Sequence, residues 1–245
     1  MNIFSDKPEN WVDLQDKVAY ILRICEYNVE TPKKIMAVRG NIEVDVYAES
    51  PDMLIICECK YWESNIPQNV ILGFRTVVED IGANKGIIIS KNGFQDGAYK
   101  NSKNTNIELK TWVEFIESYK EKYLKSYVKR FSKVKSTLYR MASMKNEYWK
   151  YYDALHKGNQ IIIDQLNSCL MQIILSSISP MCIMLQYEQD EEIGWSIDYL
   201  DQLILKSEQT LKKKFQSYYD FFEYINKNIY DIVRKIEAIY GISIL

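Results

Sequence analysis

The sequence contains a single histidine, His156, among its 245 residues. One imidazole excludes histidine-rich metal centres, and its polar, helical surroundings predict a surface residue rather than the base of a Ser–His–Asp triad. The five cysteines form an odd number without regular spacing, which favours reduced thiols over a disulfide framework. Residues 1–11 carry acids and a proline where a secretion signal needs an apolar run. These absences together predict a cytoplasmic protein.

Glycine and proline become scarce in the second half of the chain. Residues 116–245 contain three glycines and one proline and have the periodicity of helices almost throughout, whereas residues 10–115 alternate helix and strand patterns. This change predicts two domains, 1–115 and 116–245, of which the first is α/β and the second is all-α. A chain of 245 residues is long enough for both domains to bury a core.

Positive charge is concentrated in one block of a protein that is acidic as a whole. The formal net charge is −2, yet residues 120–150 hold ten basic residues against two acidic ones, Glu121 and Glu147. A basic block on an acidic protein indicates an anionic partner at that place rather than a globally basic nucleic-acid-binding protein.

Residues 10–115 predict a mixed sheet flanked by helices. Asn10 is placed to cap a helix whose apolar residues follow the helical spacing, and Pro67 and Gly82 bracket a second helix. Two strand patterns between these helices are close enough in sequence to pair as a hairpin. The predicted order is a helix from residue 11, a strand over 27–38 bent at Pro32, a strand over 41–49, a strand over 53–60, a helix over 67–82, a buried strand over 85–90, a short helix within 93–105 and a strand over 107–112.

Acidic and basic side chains share one face of the predicted hairpin. Successive side chains of a strand point to opposite faces, so Glu58 and Lys60 lie on the same face. On the preceding strand, Asp45 can lie opposite or diagonal to Glu58, and Glu43, on the same face as Asp45, is a second candidate for its role. The alternative is a solvated strand face that carries a cross-strand ion pair.

Two neighbouring carboxylates favour a cation between them. Their repulsion raises a pKa unless a positive charge relieves it, and a hard divalent cation with oxygen ligands, most simply Mg²⁺, does so. Such an ion keeps several waters and accepts a phosphate oxygen. Lys60 can then orient or deprotonate the attacking water, or stabilise charge on the phosphate. The pattern therefore indicates metal-assisted hydrolysis of a phosphodiester.

Cys57 and Cys59 lie on the opposite face of the same strand and suggest a zinc site. Structural zinc needs four ligands and no partnering pair is nearby in the sequence, so both cysteines are interpreted as small buried apolar residues. In the loop after the strand over 85–90, the glycines are interpreted as turn residues. Gln95 in that loop can face the site or cap a short helix, and both interpretations stay open.

The motifs of the first domain resemble those of the PD-(D/E)xK nuclease superfamily and, within it, the Mrr-like restriction endonucleases. The resemblance covers roughly residues 11–115 and implies a restriction-endonuclease-like α/β fold, with a mixed sheet of αβββαβ order before the all-α region. The segments that carry it are LQDKVAYILRICEYNV, RGNIEVDVYAE, IICECKYW, DIGANKGIIISKNGFQDGA and NIELKTW, in the order and spacing of the family.

This resemblance implies a catalytic site. The metal-binding aspartate of the family is Asp45, its second acid is Glu58 and its lysine is Lys60. Asp45 and Glu58 are expected to bind Mg²⁺, which Mn²⁺ can replace, with help from the carbonyl of Cys59. The first helix of the family often carries a further acid for the metal site, and here that position is Gln15. One metal ion is therefore expected, with Gln15 as an auxiliary residue of the catalytic site.

These residues predict a metal-dependent DNA endonuclease of the restriction or defence type. A homodimer is expected, because cutting two strands with one site per subunit takes two subunits or two events. The alternative is a catalytically inactive protein of the same fold that binds DNA or assembles with a partner, which Gln15 in place of an acid favours. The motifs do not distinguish DNA from RNA as the substrate, and they give no sequence or methylation preference.

The helical domain carries two patterns with more than one interpretation. Aromatic residues recur every four positions beside lysines, which is typical of a helix that packs its aromatic stripe and leaves the lysines to solvent or to a DNA backbone. Residues 161–185, broken by Pro180, are interpreted as a buried helix or an oligomer face rather than a membrane span. The domain can thus contact DNA, bind a partner protein or dimerise. The stripe is Tyr119, Tyr123, Tyr127 and Phe131, and the lysines are Lys122, Lys125, Lys129 and Lys133.

Overall fold

The chain folds into two units. A sheet unit comprises Asp6–Ser126, and a helical unit joins Met1–Ser5 to Tyr127–Leu245. The elements of each unit follow from local capping signals and from the spacing of apolar residues. The fold is that of a computed structural model, which describes residues 1–38, 40–143, 148–186 and 195–244.

The first two helices of the sheet unit begin and end where the sequence predicts. α1 (Trp11–Ile24) begins after Asn10, whose Oδ1 accepts a hydrogen bond from the N–H of Asp13 at 3.0 Å. α2 (Gln68–Ile81) ends at Gly82, whose left-handed conformation, with φ of 73°, closes the helix. The other elements of this unit are β1 (Asn28–Glu30), β2 (Lys33–Ala37), β3 (Gly40–Val44), β4 (Val46–Ser50), β5 (Met53–Lys60), β6 (Lys85–Ser90), α3 (Asp96–Ser102) and β7 (Ile107–Thr111).

Five strands form one mixed sheet in the order β1–β4–β5–β6–β7. β4 pairs antiparallel with β5, and β5, β6 and β7 run parallel. Parallel neighbours need crossover connections, which α2 and α3 provide. The predicted α/β fold, with a mixed sheet followed by an all-α region, is confirmed.

The α2 helix packs closely against the centre of this sheet. A Cβ atom at Gly86 of β6 would lie 2.5 Å from Cγ2 of Val78, so a glycine is needed where helix and strand approach. Ile56 of β5 belongs to the same buried apolar cluster as Val78. Because alternate residues share a strand face, Glu58 and Lys60 lie on the same face of β5 as Ile56, toward the end of the strand.

The predicted strand over 41–49 is in fact two strands, because the chain passes from one sheet to another at Asp45. β3 pairs with β2 in a separate two-stranded sheet, whereas β4 pairs with β5. The expectation that Glu43 and Asp45 share one strand face is therefore wrong. Glu43 lies opposite Lys34, with its carboxylate 3.7 Å from that ammonium. The predicted bend at Pro32 similarly separates β1 from β2.

The helical unit contains the remaining elements. They are α4 (Trp112–Ala142), which begins in the sheet unit, α5 (Tyr148–Asp153), α6 (Lys157–Ile173), a π-helical turn (Ile174–Ile178), α7 (Ser179–Gln186), α8 (Ile197–Leu211) and α9 (Tyr218–Tyr240). α9 begins after Ser217, whose hydroxyl accepts a hydrogen bond from the N–H of Asp220 at 3.1 Å. Tyr127 of α4 stacks on Phe222 of α9 with ring centroids 4.2 Å apart, which ties these two helices together.

The aromatic stripe of α4 is part of the protein core. Its four members lie on the buried side of the helix, and three of the four lysines beside them are exposed. The interpretation of the stripe as packing is therefore confirmed. The buried residues are Tyr119, Tyr123, Tyr127 and Phe131, and the exposed lysines are Lys122, Lys129 and Lys133.

Pro180 does not break the apolar helix, contrary to expectation. The helix continues from α6 through the π-helical turn into α7, and Pro180 lies in the first turn of α7. Among the described residues, Lys157–Ile183 is the stretch that is long and apolar enough to cross a membrane by length and composition, and 39% of its apolar window is buried. It is thus less buried than the sequence predicts, and the absence of a membrane span stays a prediction.

Candidate functional site

Asp45 occupies the point at which the chain leaves β3 and enters β4. The β4–β5 register pairs Val46 with Cys57. Continued by two residues, this register would bring Val44 to Cys59, but Val44 belongs to β3 and pairs with β2. Instead, Oδ2 of Asp45 accepts a hydrogen bond from the N–H of Cys59 at 2.7 Å. The carboxylate therefore replaces the backbone partner that the strand break removes, and this bond fixes it against β5.

Glu58 and Lys60 stand beside this carboxylate at the end of β5. Both lie on the face that carries Ile56, and the Glu58 carboxylate accepts a hydrogen bond from the Lys60 ammonium. Their side chains are 23% and 21% exposed, so they are sheltered from bulk water but within reach of a ligand. The structure therefore brings Asp45, Glu58 and Lys60 together, as the sequence predicts.

The surroundings of Glu58 disfavour its negative charge. Burial raises the pKa of this carboxyl, and the charge of Asp45 raises it further. The hydrogen bond and charge of Lys60 oppose these effects and lower the pKa in part. A proton or a cation close to the two carboxylates is therefore favoured at this place.

Gln15 is buried next to Asp45 and holds its main chain. Its Nε2 donates hydrogen bonds to the carbonyl of Asp45 at 2.8 Å and to Oγ1 of Thr31 at 2.7 Å. The Thr31 hydroxyl donates to the same carbonyl at 2.9 Å. Two donors fix the orientation of this carbonyl, and with it the point from which the Asp45 side chain leaves the backbone. Gln15 thus lies at the site, where its observed contacts are those of a support for Asp45.

The thiols of Cys57 and Cys59 lie in the core. Both side chains are buried, and burial raises the pKa of each thiol, so neither tends to form the thiolate that zinc requires. The interpretation of these cysteines as apolar core residues is confirmed.

The carbonyl of Cys59 is oriented differently from its thiol. The neighbouring carbonyl of Lys60 accepts a hydrogen bond from the N–H of Lys91 at 3.0 Å, on the β6 side of β5. Successive carbonyls of a strand point to opposite edges, so the Cys59 carbonyl points to the edge where Asp45 lies. A main-chain oxygen therefore accompanies the two carboxylates.

These oxygen atoms define the kind of metal that the site can hold. Among the described residues, no three His, Cys, Asp or Glu side chains are grouped as a metal centre. A cation here would depend on the carboxylates of Asp45 and Glu58, the Cys59 carbonyl and water. Mg²⁺ accepts such a set, because it is commonly held by one or two carboxylates and keeps several waters.

Three other residues considered in the sequence analysis occupy helix-capping or turn positions. Gln95 takes the N-cap position of α3 without a capping hydrogen bond from its side chain, and its N–H donates to the carbonyl of Ile66 at 3.0 Å. Gly93 has φ of 133°, as its interpretation as a turn glycine requires. His156 is exposed at the N-cap of α6, as expected for a surface residue.

Thr31 and Trp62 adjoin the site but were not predicted from the sequence. Thr31 directly precedes Pro32, and a hydroxyl residue at the bend between two strands is the signal that could have identified it. Trp62 lies two residues after Lys60, and its ring centroid is 5.7 Å from that ammonium. An aromatic residue directly after the acid–lysine motif was the corresponding signal.

Of the comparisons with known proteins, the match to a family model agrees with the motifs of the first domain. A search of curated proteins gives no match. Among solved structures, the chain is similar to one titled "Crystal Structure of Protein of Unknown Function AF1548", with 16% identity and a TM-score of 0.41 over 83% of this chain and 99% of that one. Residues 9–119 match the family model Mrr_cat, which is described as a restriction endonuclease. Residues 9–119 are therefore similar to the restriction endonuclease domain of the Mrr family.

Proposed function

We propose that the protein is a metal-dependent DNA endonuclease that acts at Asp45, Glu58 and Lys60. The observation that carries this proposal is the 2.7 Å hydrogen bond from the N–H of Cys59 to Oδ2 of Asp45. This bond holds Asp45, which lies outside the sheet ladders, beside the Glu58–Lys60 pair of β5. The match of residues 9–119 to a restriction endonuclease family supports the same function.

The carboxylates of Asp45 and Glu58 would hold Mg²⁺, or Mn²⁺ in its place, together with the carbonyl of Cys59. The raised pKa of Glu58 fits this role, because the neighbouring negative charge that contributes to it is what a bound cation would relieve. When bound, the ion polarises a phosphate oxygen and makes a bound water more acidic.

Lys60 supplies the positive charge of the site. Its ammonium hydrogen-bonds to Glu58 and is only partly exposed, so it is held in place rather than free in solvent. From there it can donate to the attacking water or to a phosphate oxygen on which negative charge develops. Gln15 keeps Asp45 in position through the Asp45 carbonyl and does not touch the substrate.

The family description also supports a role in restriction. We propose that the protein acts in the cytoplasm, in restriction or defence, with DNA as the substrate. Each chain contributes its own Asp45, Glu58 and Lys60, so with this site a double-strand break requires two chains or two successive nicks. We expect the active form to be a homodimer.

Plasmid cleavage tests this function. The wild-type protein is expected to nick supercoiled DNA with Mg²⁺ or Mn²⁺ and to be inactive with EDTA. Lys60→Ala should lower the rate by roughly 10³-fold, because it removes the cation that stabilises the developing charge. The control is Lys91→Ala, which removes a nearby lysine that pairs with Glu63 instead. Cleavage that persists with EDTA or in the Lys60 variant would refute the proposed site.

One observation favours a second function, that of an inactive DNA-binding or assembly protein of the same fold. The position of the helix acid is occupied by Gln15, whose Nε2 donates to the Asp45 carbonyl, so the site has two carboxylates rather than three. DNA binding without metal-dependent cleavage in the same plasmid experiment would support this alternative.

A further inference from the structure

The β2 and β3 strands form a two-stranded sheet of their own, separate from the five-stranded sheet. We call these strands, residues 33–37 and 40–44, the ribbon. Ile35 and Ile42 lie opposite each other in it and pack against the buried apolar cluster that contains Ile56 of β5. Alternate residues point the other way. The ribbon therefore packs with one face only, and its exposed outer face consists of Lys34, Met36, Asn41 and Glu43.

Both ends of the ribbon meet at the proposed metal site. Thr31 lies two residues before β2, Asp45 directly follows β3, and the Thr31 hydroxyl donates to the Asp45 carbonyl at 2.9 Å. Ile56, in the cluster beneath the ribbon, precedes Glu58 by two residues on the same strand face. At about 3.4 Å per residue, the path from Asp45 back to Gly40 spans at most about 17 Å. A ligand bound at the metal site therefore has the ribbon as its neighbour.

The end of the ribbon that is farthest from Asp45 is apolar and exposed. Met36 and the following Val38 are each 85% exposed, more than any other large apolar side chain in the described part of the chain. Leaving such side chains in water gives up the free energy that their burial would provide. Their position is explained if a ligand covers them when it binds.

The side chains of the ribbon match the chemistry of DNA. An apolar side chain can contact the methyl group of thymine, an asparagine amide can bond to N6 and N7 of adenine, and a lysine can bond to guanine. Met36, Asn41 and Lys34 provide these three groups on one face. The ion pair of Lys34 with Glu43 is exposed and 3.7 Å long, so it contributes little and can be exchanged for a contact with DNA. In the sequence, residues 33–44 hold three basic residues against one acidic residue, which favours an anionic ligand.

We propose that the ribbon enters the major groove of DNA beside the scissile phosphate and sets a preference for base sequence. This inference rests on the proposed function, because it takes DNA as the ligand of the metal site. The major groove is about 12 Å wide and admits a two-stranded β-ribbon. A duplex with one phosphate at Asp45 and Glu58 continues in both directions, so its groove passes a ribbon that begins at the same place. The carboxylates and Lys60 then act on a phosphodiester of any sequence, and the ribbon determines which sequence is bound there.

Selection from a random DNA library tests the ribbon without cleavage. The full-length protein binds duplexes with a randomised centre in EDTA, and the bound molecules are sequenced. The wild type should enrich its preferred sequence at least about tenfold, as one or two specific base contacts would give. The ribbon variant, Met36→Ser with Val38→Ser and Asn41→Ala, should lower this enrichment at least about fivefold, while its overall affinity for DNA falls less because phosphate contacts remain. Circular dichroism checks that the variant folds, which is expected because all three side chains are exposed.

Two further variants sharpen the result. Asn41→Ala alone should remove the preference at one or two base pairs and keep it at the others, because a single side chain contacts few bases. The control variant, Val12→Ser with Val113→Ser, changes two exposed apolar residues in the first turns of α1 and α4. It should keep the wild-type enrichment within about twofold, because its residues contact no base.

Four results would overturn the inference. They are the absence of any enriched sequence with the wild type, wild-type enrichment by the ribbon variant, and an equal loss of enrichment in the control variant. The fourth is a ribbon variant that sediments as a monomer where the wild type is a dimer, since the ribbon would then bind a second copy of the chain.

Plasmid cleavage with Mn²⁺ separates this inference from the proposed function. If the wild type cuts but the ribbon variant enriches the same sequences, the nuclease site stands and the role of the ribbon fails. If the wild type selects a sequence through the ribbon but never cuts, the ribbon stands and the nuclease site fails.

Discussion

The two units of the molecule use their buried polar groups in different ways. In the sheet unit, Gln15 and Thr31 converge on the Asp45 carbonyl, and the Asp45 carboxylate is bonded to the edge of β5. In the helical unit, Ser177 donates to Ser207 at 3.1 Å, and Ser207 donates to the carbonyl of Ser176 at 2.8 Å, which ties neighbouring helices together. The first arrangement holds an acidic side chain at the proposed metal site, whereas the second completes hydrogen bonds within the fold.

The residues proposed for catalysis therefore differ from the residues that stabilise the helical unit by packing. In the sheet unit, Glu58 lies partly buried near the charge of Asp45, which disfavours the ionised form of Glu58 and favours a nearby cation. The core of the helical unit contains large aromatic residues, such as Tyr127, which stacks on Phe222. Substitutions at the site should therefore remove activity and spare the fold, while substitutions in the helical core should do the reverse.

The largest expected effect is that of Glu58→Gln on cleavage. Removing this charge takes away a proposed metal ligand, and the rate of metal-dependent nicking should fall by roughly 10³-fold. Thermal stability should be unchanged or higher, because burial disfavours the ionised carboxylate in the folded state. A Glu58→Gln protein that unfolds more easily, or that cuts at the wild-type rate, would show that Glu58 is a structural residue.

Phe222→Ala should have the opposite consequence. Deleting this buried ring should lower the free energy of unfolding by about 3 kcal/mol, since neighbouring aromatics can relax only partly into the cavity. Urea unfolding measures the loss, and Tyr230→Ala serves as a control on the same helix, because Tyr230 is 58% exposed. The rate of cleavage per folded molecule should stay the same, and a fall in this rate would mean that the helical unit takes part in the chemistry.

Much of the fold could be predicted from the sequence because its signals are local. Asn10 and Gly82 are capping residues whose effect depends on the next few backbone groups, so α1 and α2 were predicted where they occur. The hairpin of β4 and β5 followed from two strand patterns close together in the chain. Together with the motif in β5, these elements were sufficient to identify Glu58 and Lys60 on one strand face.

The break at Asp45 could not be predicted in this way. Ile42, Val44 and Val46 keep an unbroken alternation across it, so the sequence reads as one strand. The break comes from pairing with two different partners, since Val44 lies opposite Lys33 and Val46 lies opposite Cys57. Tertiary pairing of this kind has no local signal.

Gln15→Ala tests whether the support behind Asp45 matters to the site. Loss of the hydrogen bond to the Asp45 carbonyl should lower the cleavage rate roughly 10- to 100-fold, as is usual for groups that orient a metal ligand. A role in orientation predicts that Thr31→Val gives a smaller loss in the same direction. Asp16→Ala, an exposed neighbour on α1, should have no effect. An equal loss in the Asp16 variant would indicate general damage to the helix.

The raised pKa of Glu58 predicts how cleavage depends on pH. The ionised carboxylate is the form that binds a cation, and burial raises the pKa at which it ionises. At sub-saturating Mn²⁺, activity should therefore decrease as the pH is lowered. This decrease should occur at a higher pH than the range in which an exposed glutamate titrates. Single-turnover rates over the acid range measure this limb. A limb at or below the ordinary glutamate range would contradict a buried Glu58 ligand.

The smallest expected effect is that of Ser207→Ala in the helical unit. It leaves the Ser177 hydroxyl without its acceptor on α8 and should lower the free energy of unfolding by about 1 kcal/mol. Ser136→Ala, at an exposed position of α4, should change it by less than about 0.5 kcal/mol. Neither substitution should alter the rate of cleavage. A change in this rate would show that the helical unit takes part in the chemistry.

Calorimetric titration of Mn²⁺ into the wild-type and Asp45→Asn proteins tests the metal site most directly. The amide oxygen of the substituted side chain can still accept the hydrogen bond from the N–H of Cys59, so the geometry is kept while the negative charge is removed. The wild-type chain should bind one ion, and Asp45→Asn should bind it at least about tenfold more weakly with an unchanged melting temperature. Equal binding by the two proteins would contradict a cation shared by Asp45 and Glu58.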